Sequence, residues 1–264
     1  IILRSIKYFN FMNKLFIYDQ WTSEILSLDA FYLNSNIKIN EDEIIEFIRN
    51  LKDKSFITAK INAPNTKDII ILQNCGFKII DTLITYDSDI NINYSENKLA
   101  NSNNFYLRES KKEDSNSVAE LAFNSFKLSR FHLDPEIDNY LACKIKFEWV
   151  LNYFKGKRGN KLFVINSKTD NAIIGFILLL EKNDLLIKNK SIIIDLISIN
   201  PNFHRMGHAF ALINHASNHY KETFSKILVG TQAVNIAANN LYQKLQFRMK
   251  KSTYILHFHK NENR

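Results

Sequence analysis

The chain has 264 residues, carries a formal net charge of +8 at neutral pH and is 45% apolar. That length supports one large or two small domains with real cores, and the apolar fraction is that of an ordinary globular protein. No apolar run is long enough to span a bilayer, two cysteines without metal-type spacing argue against a disulfide scaffold, and 6 glycines and 3 prolines leave little room for long linkers.

Residues 1–11 lack a signal-peptide pattern, and Met12 is a candidate start that would make them an extension. From there the pattern predicts a strand over Leu15–Tyr18, a capping-like turn at Trp21-Thr-Ser-Glu24 and a strand over Ala30–Leu33. An acidic-started helix follows over Glu41–Lys52, with apolar residues at 44, 45, 47, 48 and 51. Ser55–Ile61 reads as a strand, Asn65–Asn74 as a helix ended by Gly76, and Phe77–Tyr86 as another strand. The asparagine-rich Asp87–Asn104 reads as a linker. The expected domains are therefore residues 1–100 and 101–264.

The second domain opens with a strand at Phe105–Arg108 and a helix at Asn116–Phe126. Ser129-Arg-Phe-His-Leu-Asp-Pro135 is a loop, and a long helix runs over Glu136–Lys155. The basic run Lys155-Gly-Lys-Arg-Gly-Asn-Lys161 has no interleaved aromatics and reads as a solvated turn, not a nucleic-acid patch. Strands are expected at Lys161–Asn166, Ala172–Glu181 and Ile192–Ile199, then a helix ending near Lys221. A strand at Ile227–Val229, a helix from Asn235 and two closing strands, Phe247–Lys250 and Thr253–Phe258, complete the chain.

The most informative stretch is the buried strand Ile192–Ile199, stopped by Pro201 and followed by a loop whose one glycine is Gly207. An amphipathic helix comes next, with Ala209, Ile213, Ala216 and Tyr220 on one face. Strand, tight loop and helix make an anion site, because first-turn amides are free and carry partial positive charge. A diphosphate can then sit against Met206, Gly207, His208 and Ala209. Further on, Asn235, Ala238 and Tyr242 share a helix face, and Phe247 follows.

Pro201-x-x-His204-x-x-Gly207-x-Ala209 resembles the acetyl-CoA pyrophosphate loop of the GNAT acetyltransferases, with His204 where Gln or Arg is usual. Asn235-x-x-Ala238-x-x-x-Tyr242-x-x-x-Gln246-Phe247 resembles their second motif, with Gln246 in place of glycine. The resemblance implies an α/β GNAT fold: a mixed, mostly antiparallel central sheet flanked by helices. It implies acetyl-CoA as acyl donor, with backbone contacts from Leu196, Ile197 and Ile199 and further contacts from His204, Arg205, Met206, Gly207, His208, Ala209, Asn235 and Ala238. It also implies Tyr242 as general acid to the leaving thiolate. Asp195, on the same central strand, is a candidate acceptor of the amine proton through water.

An internal echo extends the pattern. Ile57–Asn62 precedes Asn65 as Ile227–Gln232 precedes Asn235, and Phe77 follows Asn65 at the interval by which Phe247 follows Asn235 (77 − 65 = 247 − 235 = 12). Residues 1–100 thus resemble a partial, degenerate GNAT half in which Leu72 stands where Tyr242 would. Chance similarity of strand–helix–strand units is the bland alternative.

The loop at 129–135 is the expected acceptor segment, and its Ser-Arg-Phe run resembles the TDP-fucosamine acetyltransferases of surface-polysaccharide synthesis. Arg130 suits a phosphate, Phe131 a base or sugar face, and His132 and Asp134 hydroxyls or an amine. The structural alternative makes Phe131 a core anchor and Asp134 a helix cap. His204, His208, His215 and His219 share a helical side and read as a solvated face, so no metal is expected.

These readings converge on a cytoplasmic N-acetyltransferase acting on a nucleotide-linked amino-deoxy sugar. No nucleic-acid or membrane partner is expected, and a homodimer is one expected state. A GNAT enzyme acting on another amine and a non-catalytic GNAT-fold binding protein are the alternatives.

Overall fold

The computed structural model describes residues 14–91, 104–184 and 189–261. Within them the chain folds as ten strands and seven α-helices. In order these are β1 (Phe16–Tyr18), α1 (Gln20–Leu26), β2 (Asp29–Leu33), α2 (Glu41–Asn50), β3 (Ser55–Asn62), α3 (Thr66–Asn74) and β4 (Lys78–Asp89). Then come β5 (Phe105–Glu109), α4 (Ser115–Ser125), α5 (Asn139–Phe154), β6 (Lys161–Ser167), β7 (Ile173–Asp184) and β8 (Asn189–Ile199). The last elements are α6 (His208–Tyr220), β9 (Lys226–Gln232), α7 (Ile236–Lys244) and β10 (Arg248–Lys260). This is the expected mixed, mostly antiparallel α/β class.

The strand expected as two pieces at the C-terminus is one, β10. Trp21 lies in a helix rather than a turn: the Asp19 carboxylate accepts from the Thr22 amide and hydroxyl and so caps α1. β4 runs through Asp89 into the expected linker, and residues 92–103 of that linker, like the candidate extension 1–11, lie outside the described residues.

Contacts divide the chain into two compact units, and the division does not fall near residue 100. Among the described residues, one holds those up to Leu83 together with 130–141 and 251–261; the other holds those within 84–129 and 142–250. Strand pairing explains the return of the C-terminus. β10 runs antiparallel to β3 from Thr253↔Asn62 to Lys260↔Ser55, and backbone ladders outweigh closeness in sequence.

In the first unit the strands follow β1-β2-β3-β10, with β1–β2 antiparallel and β2–β3 parallel. Ile44 and Phe47 of α2 and Ile69 and Leu72 of α3 pack with Ile57, Ala59 and Leu256 to form its core. The Lys260 ammonium donates to the carbonyls of Ile48, Arg49 and Leu51, satisfying acceptors that the end of α2 leaves open.

In the second unit the order is β9-β8-β7-β6-β5, antiparallel throughout except for β8–β9. Both faces of this sheet are covered, so its strands read as near-continuous apolar runs. Phe163, Ile165, Ile177, Leu179, Ile192 and Ile194 face Leu212, Ile213, Ala216 and Tyr242 of α6 and α7. Leu162, Val164, Phe176, Leu178 and Leu196 face Val118, Ala119, Ala122 and Val150 of α4 and α5.

The internal echo holds at the level of single hydrogen bonds, at an offset of 170 residues. Asn65, Ile69, Cys75, Gly76 and Phe77 donate to the carbonyls of Asn62, Asn65, Ile71, Gln73 and Leu72. Asn235, Asn239, Leu245, Gln246 and Phe247 donate to Gln232, Asn235, Leu241, Gln243 and Tyr242. The helix ends match as well: Gly76 has φ +91° and Gln246 has φ +61°. Left-handed backbone crowds a Cβ, so Gln246 is strained where Gly76 is not. Gln246→Gly should therefore raise stability by roughly 1 kcal/mol, seen as a higher urea midpoint at unchanged slope. Gly76→Gln should lower that midpoint, since a Cβ there would also press on the Phe258 ring at 3.3 Å.

Candidate functional site

The site is set by a defect in β8. Its ladder with β9 runs from Ser191↔Lys226 to Ile194↔Val229, and from Leu196 to Ile199 the described pairing of β8 is with β7 alone. At the same point the β7 register jumps: Leu179 pairs with Ile194 and Leu178 with Leu196, so Asp195 is an extra residue without a partner. The bulge reverses the alternation of side chains. Ile192 and Ile194 face α6, whereas Leu196 faces α4 and α5, and Ile197 and Ile199 return to the α6 side. The expected cofactor-binding edge, Leu196, Ile197 and Ile199, thus presents backbone groups on a stretch where β9 no longer pairs.

The loop after β8 is tightly built. Asn200 accepts from the Asn202 amide, Pro201–Phe203 form one turn of 3₁₀ helix, and the His204 ring lies 2.9 Å from the Ile199 carbonyl. His204 therefore braces the loop to the end of its own strand. Arg205 (φ +62°) and Gly207 (φ +81°) are both left-handed and turn the chain sharply into α6. No side chain caps α6, which leaves its first-turn amides, at His208 and Ala209, available to an anion. Met206 is exposed beside them and Ala209 packs inward.

The histidine face differs from expectation. His208 is buried, with its ring 4.4 Å from that of Phe105, and burial lowers its pKa. His215 and His219 pack edge-on against Phe163. A flat ring with an apolar body can fill a helix–sheet gap, so this side reaches solvent at His204 and His219 while His208 is buried and His215 part-buried. His208 can serve an anion only through its backbone amide.

Across the core from that loop, Tyr242 is buried between Tyr86 and Phe247, with ring centroids at 5.9 and 5.6 Å. Burial pushes its phenol above the usual range, so it stays protonated. The Tyr86 hydroxyl donates to Asn239 on the same helix. Asn235 is a helix cap, its side-chain oxygen accepting from the Ala238 amide at 3.2 Å, so this motif asparagine shapes the start of α7. Ala238 packs against the core beside it.

Asp195 is not the free base expected. Its carboxylate accepts from Arg158 Nε at 2.7 Å and Nη2 at 2.6 Å, and from Trp149 Nε1 at 2.7 Å. Arg158 stacks over the Trp149 ring at 4.4 Å, and Lys146 lies 4.6 Å from that ring and 4.9 Å from Phe126. Arg158 reaches Asp195 while remaining exposed in the basic turn, and Lys155 and Lys161 pair with Glu148 and Glu109. Neither Arg158 nor Trp149 was singled out from sequence. No local motif marks them, because their meeting depends on α5 crossing the β8 bulge.

The 129–135 loop resolves toward its structural alternative at two positions. Phe131 is 1% exposed and Asp134 2% exposed, both interior and neither open to an acceptor. Asp134 Oδ2 lies 2.6 Å from His257 Nδ1 and 2.8 Å from His259 Nε2, and Oδ1 accepts from the Glu136 amide at 2.9 Å. Burial alone would raise this carboxyl; the bonds from the two rings and the amide overcome it and hold it well below the usual carboxylate range. Burial likewise pushes the His257 imidazole down to about 4, against the pull of Asp134. Asp138, not Pro135, marks the true helix start, its carboxylate accepting from Tyr140 and Leu141. Arg130 and His132 are part-exposed, and the Arg130 guanidinium lies 4.3 Å from the Phe131 ring.

Residues 120–247 match the family model described as the Acetyltransferase (GNAT) family. The spore coat polysaccharide biosynthesis protein SpsD of Bacillus subtilis (strain 168) is 28% identical over 145 residues, which is 54% of this chain and 47% of that protein. The match thus spans about half the length of that relative. Among solved structures, a functionally unknown conserved protein from Staphylococcus epidermidis ATCC 12228 aligns with a TM-score of 0.64 at 11% identity, covering 94% of this chain and 92% of its own. A GCN5-related N-acetyltransferase from Sphaerobacter thermophilus gives 0.59 at 11% identity, with 94% and 77% covered. A tandem GNAT protein from the clavulanic acid biosynthesis pathway gives 0.57 at 10%, with 89% and 76% covered. At such identities the structural matches speak for fold alone. Among the described residues no helix is long and apolar enough to cross a membrane. Over residues 120–247 the chain is similar to a GNAT-family acetyltransferase domain, and the matched structures share its fold.

Proposed function

We propose that this protein transfers an acetyl group from acetyl-CoA to the amine of an amino-deoxy sugar carried on a nucleoside diphosphate, a precursor of a surface polysaccharide. The observation that carries the reading is the departure of β8 from β9 at the Asp195 bulge, followed at once by the uncapped start of α6. An extended pantetheine arm can add to the β8 edge through backbone bonds, while the diphosphate meets the amides of Gly207, His208 and Ala209. The net charge of +8 suits two phosphorylated substrates. The sugar class rests on the similarity to a spore coat polysaccharide biosynthesis protein and on the Ser129-Arg130-Phe131 run. Arg130 and His132 are part-exposed side chains of that loop.

In this reading the neutral amine attacks the thioester carbonyl, the tetrahedral adduct breaks its C–S bond, the departing thiolate takes a proton from the Tyr242 phenol, and the surplus proton on the amine nitrogen passes through water to restore that phenol. Alignment of amine and thioester supplies most of the rate. Asp195 acts as a positioning residue. Its carboxylate, held by Arg158 and Trp149, fixes the bulge against which the thioester would lie.

Tyr242→Phe should retain acetyl-CoA binding by calorimetry and lose about 100-fold or more in kcat; unchanged turnover would remove Tyr242 from the reaction. Arg158→Ala should lower kcat more than it raises KM for acetyl-CoA, with partial recovery in Arg158→Lys; equal effects in both variants would mean that the fork to Asp195 is not what matters. Release of CoA thiol with nucleotide amino sugars, and not with peptides or free amines, would establish the acceptor class. Turnover with peptides alone would replace it with the protein N-terminus reading.

A further inference from the structure

His257 and His259 stand two apart on β10, opposite Thr58 and Phe56 of β3, and so project from the same face of the strand. Asp134 reaches that face from the loop ahead of α5. The three side chains offer one carboxylate oxygen and two imidazole nitrogens, all within 4.8 Å of one another. We propose that Asp134, His257 and His259 form a binding site for a divalent transition-metal ion of the zinc class, which ties the 130–138 loop to the last strand.

Four observations support it. Two imidazoles and a carboxylate are the donor set that zinc and its neighbours prefer, and that calcium and magnesium do not. The second Asp134 oxygen is already held by the Glu136 amide at 2.9 Å, the kind of outer bond that orients a ligating carboxylate. Phe56 and Phe131 flank His257, at ring separations of 4.7 and 6.3 Å, and fix that ring in place. The His259 side chain is 9% exposed, against 0% for His257 and 1% for Asp134, which gives an ion an entry at the rim.

The separations of 2.6 and 2.8 Å are those of hydrogen bonds, in which each ring donates a proton to Asp134 Oδ2. An ion about 2.0–2.1 Å from each ligand atom spreads a tetrahedral set to about 3.3 Å. The separations must therefore open by about 0.5 Å at His259 and about 0.7 Å at His257, and His259 at the rim is the less enclosed of the two rings. Each ring passes its proton from the coordinating nitrogen to the distal one, with no net change in protonation. In His257 the distal nitrogen, Nε2, is enclosed and has no hydrogen-bond partner among the described residues, so no existing bond is broken there.

The experiment uses the full chain without an affinity tag, stripped with EDTA and dialysed, then titrated with zinc chloride under calorimetry, with metal content and melting temperature read in parallel. One equivalent of zinc per chain and a rise in Tm of several degrees are expected. His259→Gln, a rim substitution chosen because it leaves the buried pair intact, should abolish the bound equivalent and the rise. His215→Gln should keep both. Cobalt in place of zinc should give the intense visible absorption of a tetrahedral site in the parent and not in His259→Gln. Failure of zinc to bind, or equal binding by parent and His259→Gln, would overturn the proposal and leave the trio a hydrogen-bonded lock. Neither result bears on acetyl transfer.

Discussion

The structure turns on one residue too many in β8. A regular strand would carry its ladder to β9 past Ile194, close the sheet and leave no backbone edge for a ligand. The extra Asp195 takes the strand out of step with β7, reverses which face its side chains meet, and coincides with the end of pairing to β9. An unpaired carboxylate in that place would be costly, because 7% side-chain exposure leaves it little water. Arg158 and Trp149 supply the missing donors. The bulge is thus stabilised from the α5 side while its open edge faces the other way along the sheet. An unpaired strand edge and a half-buried ion pair are two consequences of the same insertion.

The two strand–helix–strand units show how far a sequence can drift while the local geometry stays. At an offset of 170 residues five backbone hydrogen bonds correspond, yet Tyr242 becomes Leu72 and Gly76 becomes Gln246. Both Leu72 and Tyr242 are buried, so either satisfies packing; only the phenol can also move a proton. Strain is distributed the other way. The unit that keeps the tyrosine tolerates a left-handed glutamine, whereas the unit without it retains the glycine. That pattern fits a helix end whose cost can be carried by the rest of the fold, of the order of 1 kcal/mol.

The 130–141 segment illustrates why residue type alone misleads about function. Arginine, aromatic, histidine and aspartate in one short loop read as a ligand surface. Phe131 and Asp134 instead face inward, where Asp134 meets two histidines 123 and 125 residues away in sequence. A buried carboxylate must find partners, and the last strand provides them. The same constraint places the segment and the C-terminal strand in the unit formed mainly by the N-terminal residues.

By itself the sequence determined most of the element order, the fold class, the glycine turn ahead of α6, the helical face of Tyr242 and the internal echo. The elements, the glycine turn and the Tyr242 face follow from periodicity or spacing within about twenty residues, where backbone sterics and hydropathy act locally, whereas the fold class is what the family resemblance implies and the echo comes from repetition along the chain. Only the tertiary structure decided that Asp195 is held by Arg158 and Trp149, that His208 is interior, that Asp134 is shared by His257 and His259, and that residues 130–141 and the C-terminal strand group with the N-terminal residues. Those outcomes depend on which strand lies beside which and on whether a buried polar group finds a partner across the fold. The linear pattern of residues carries neither quantity.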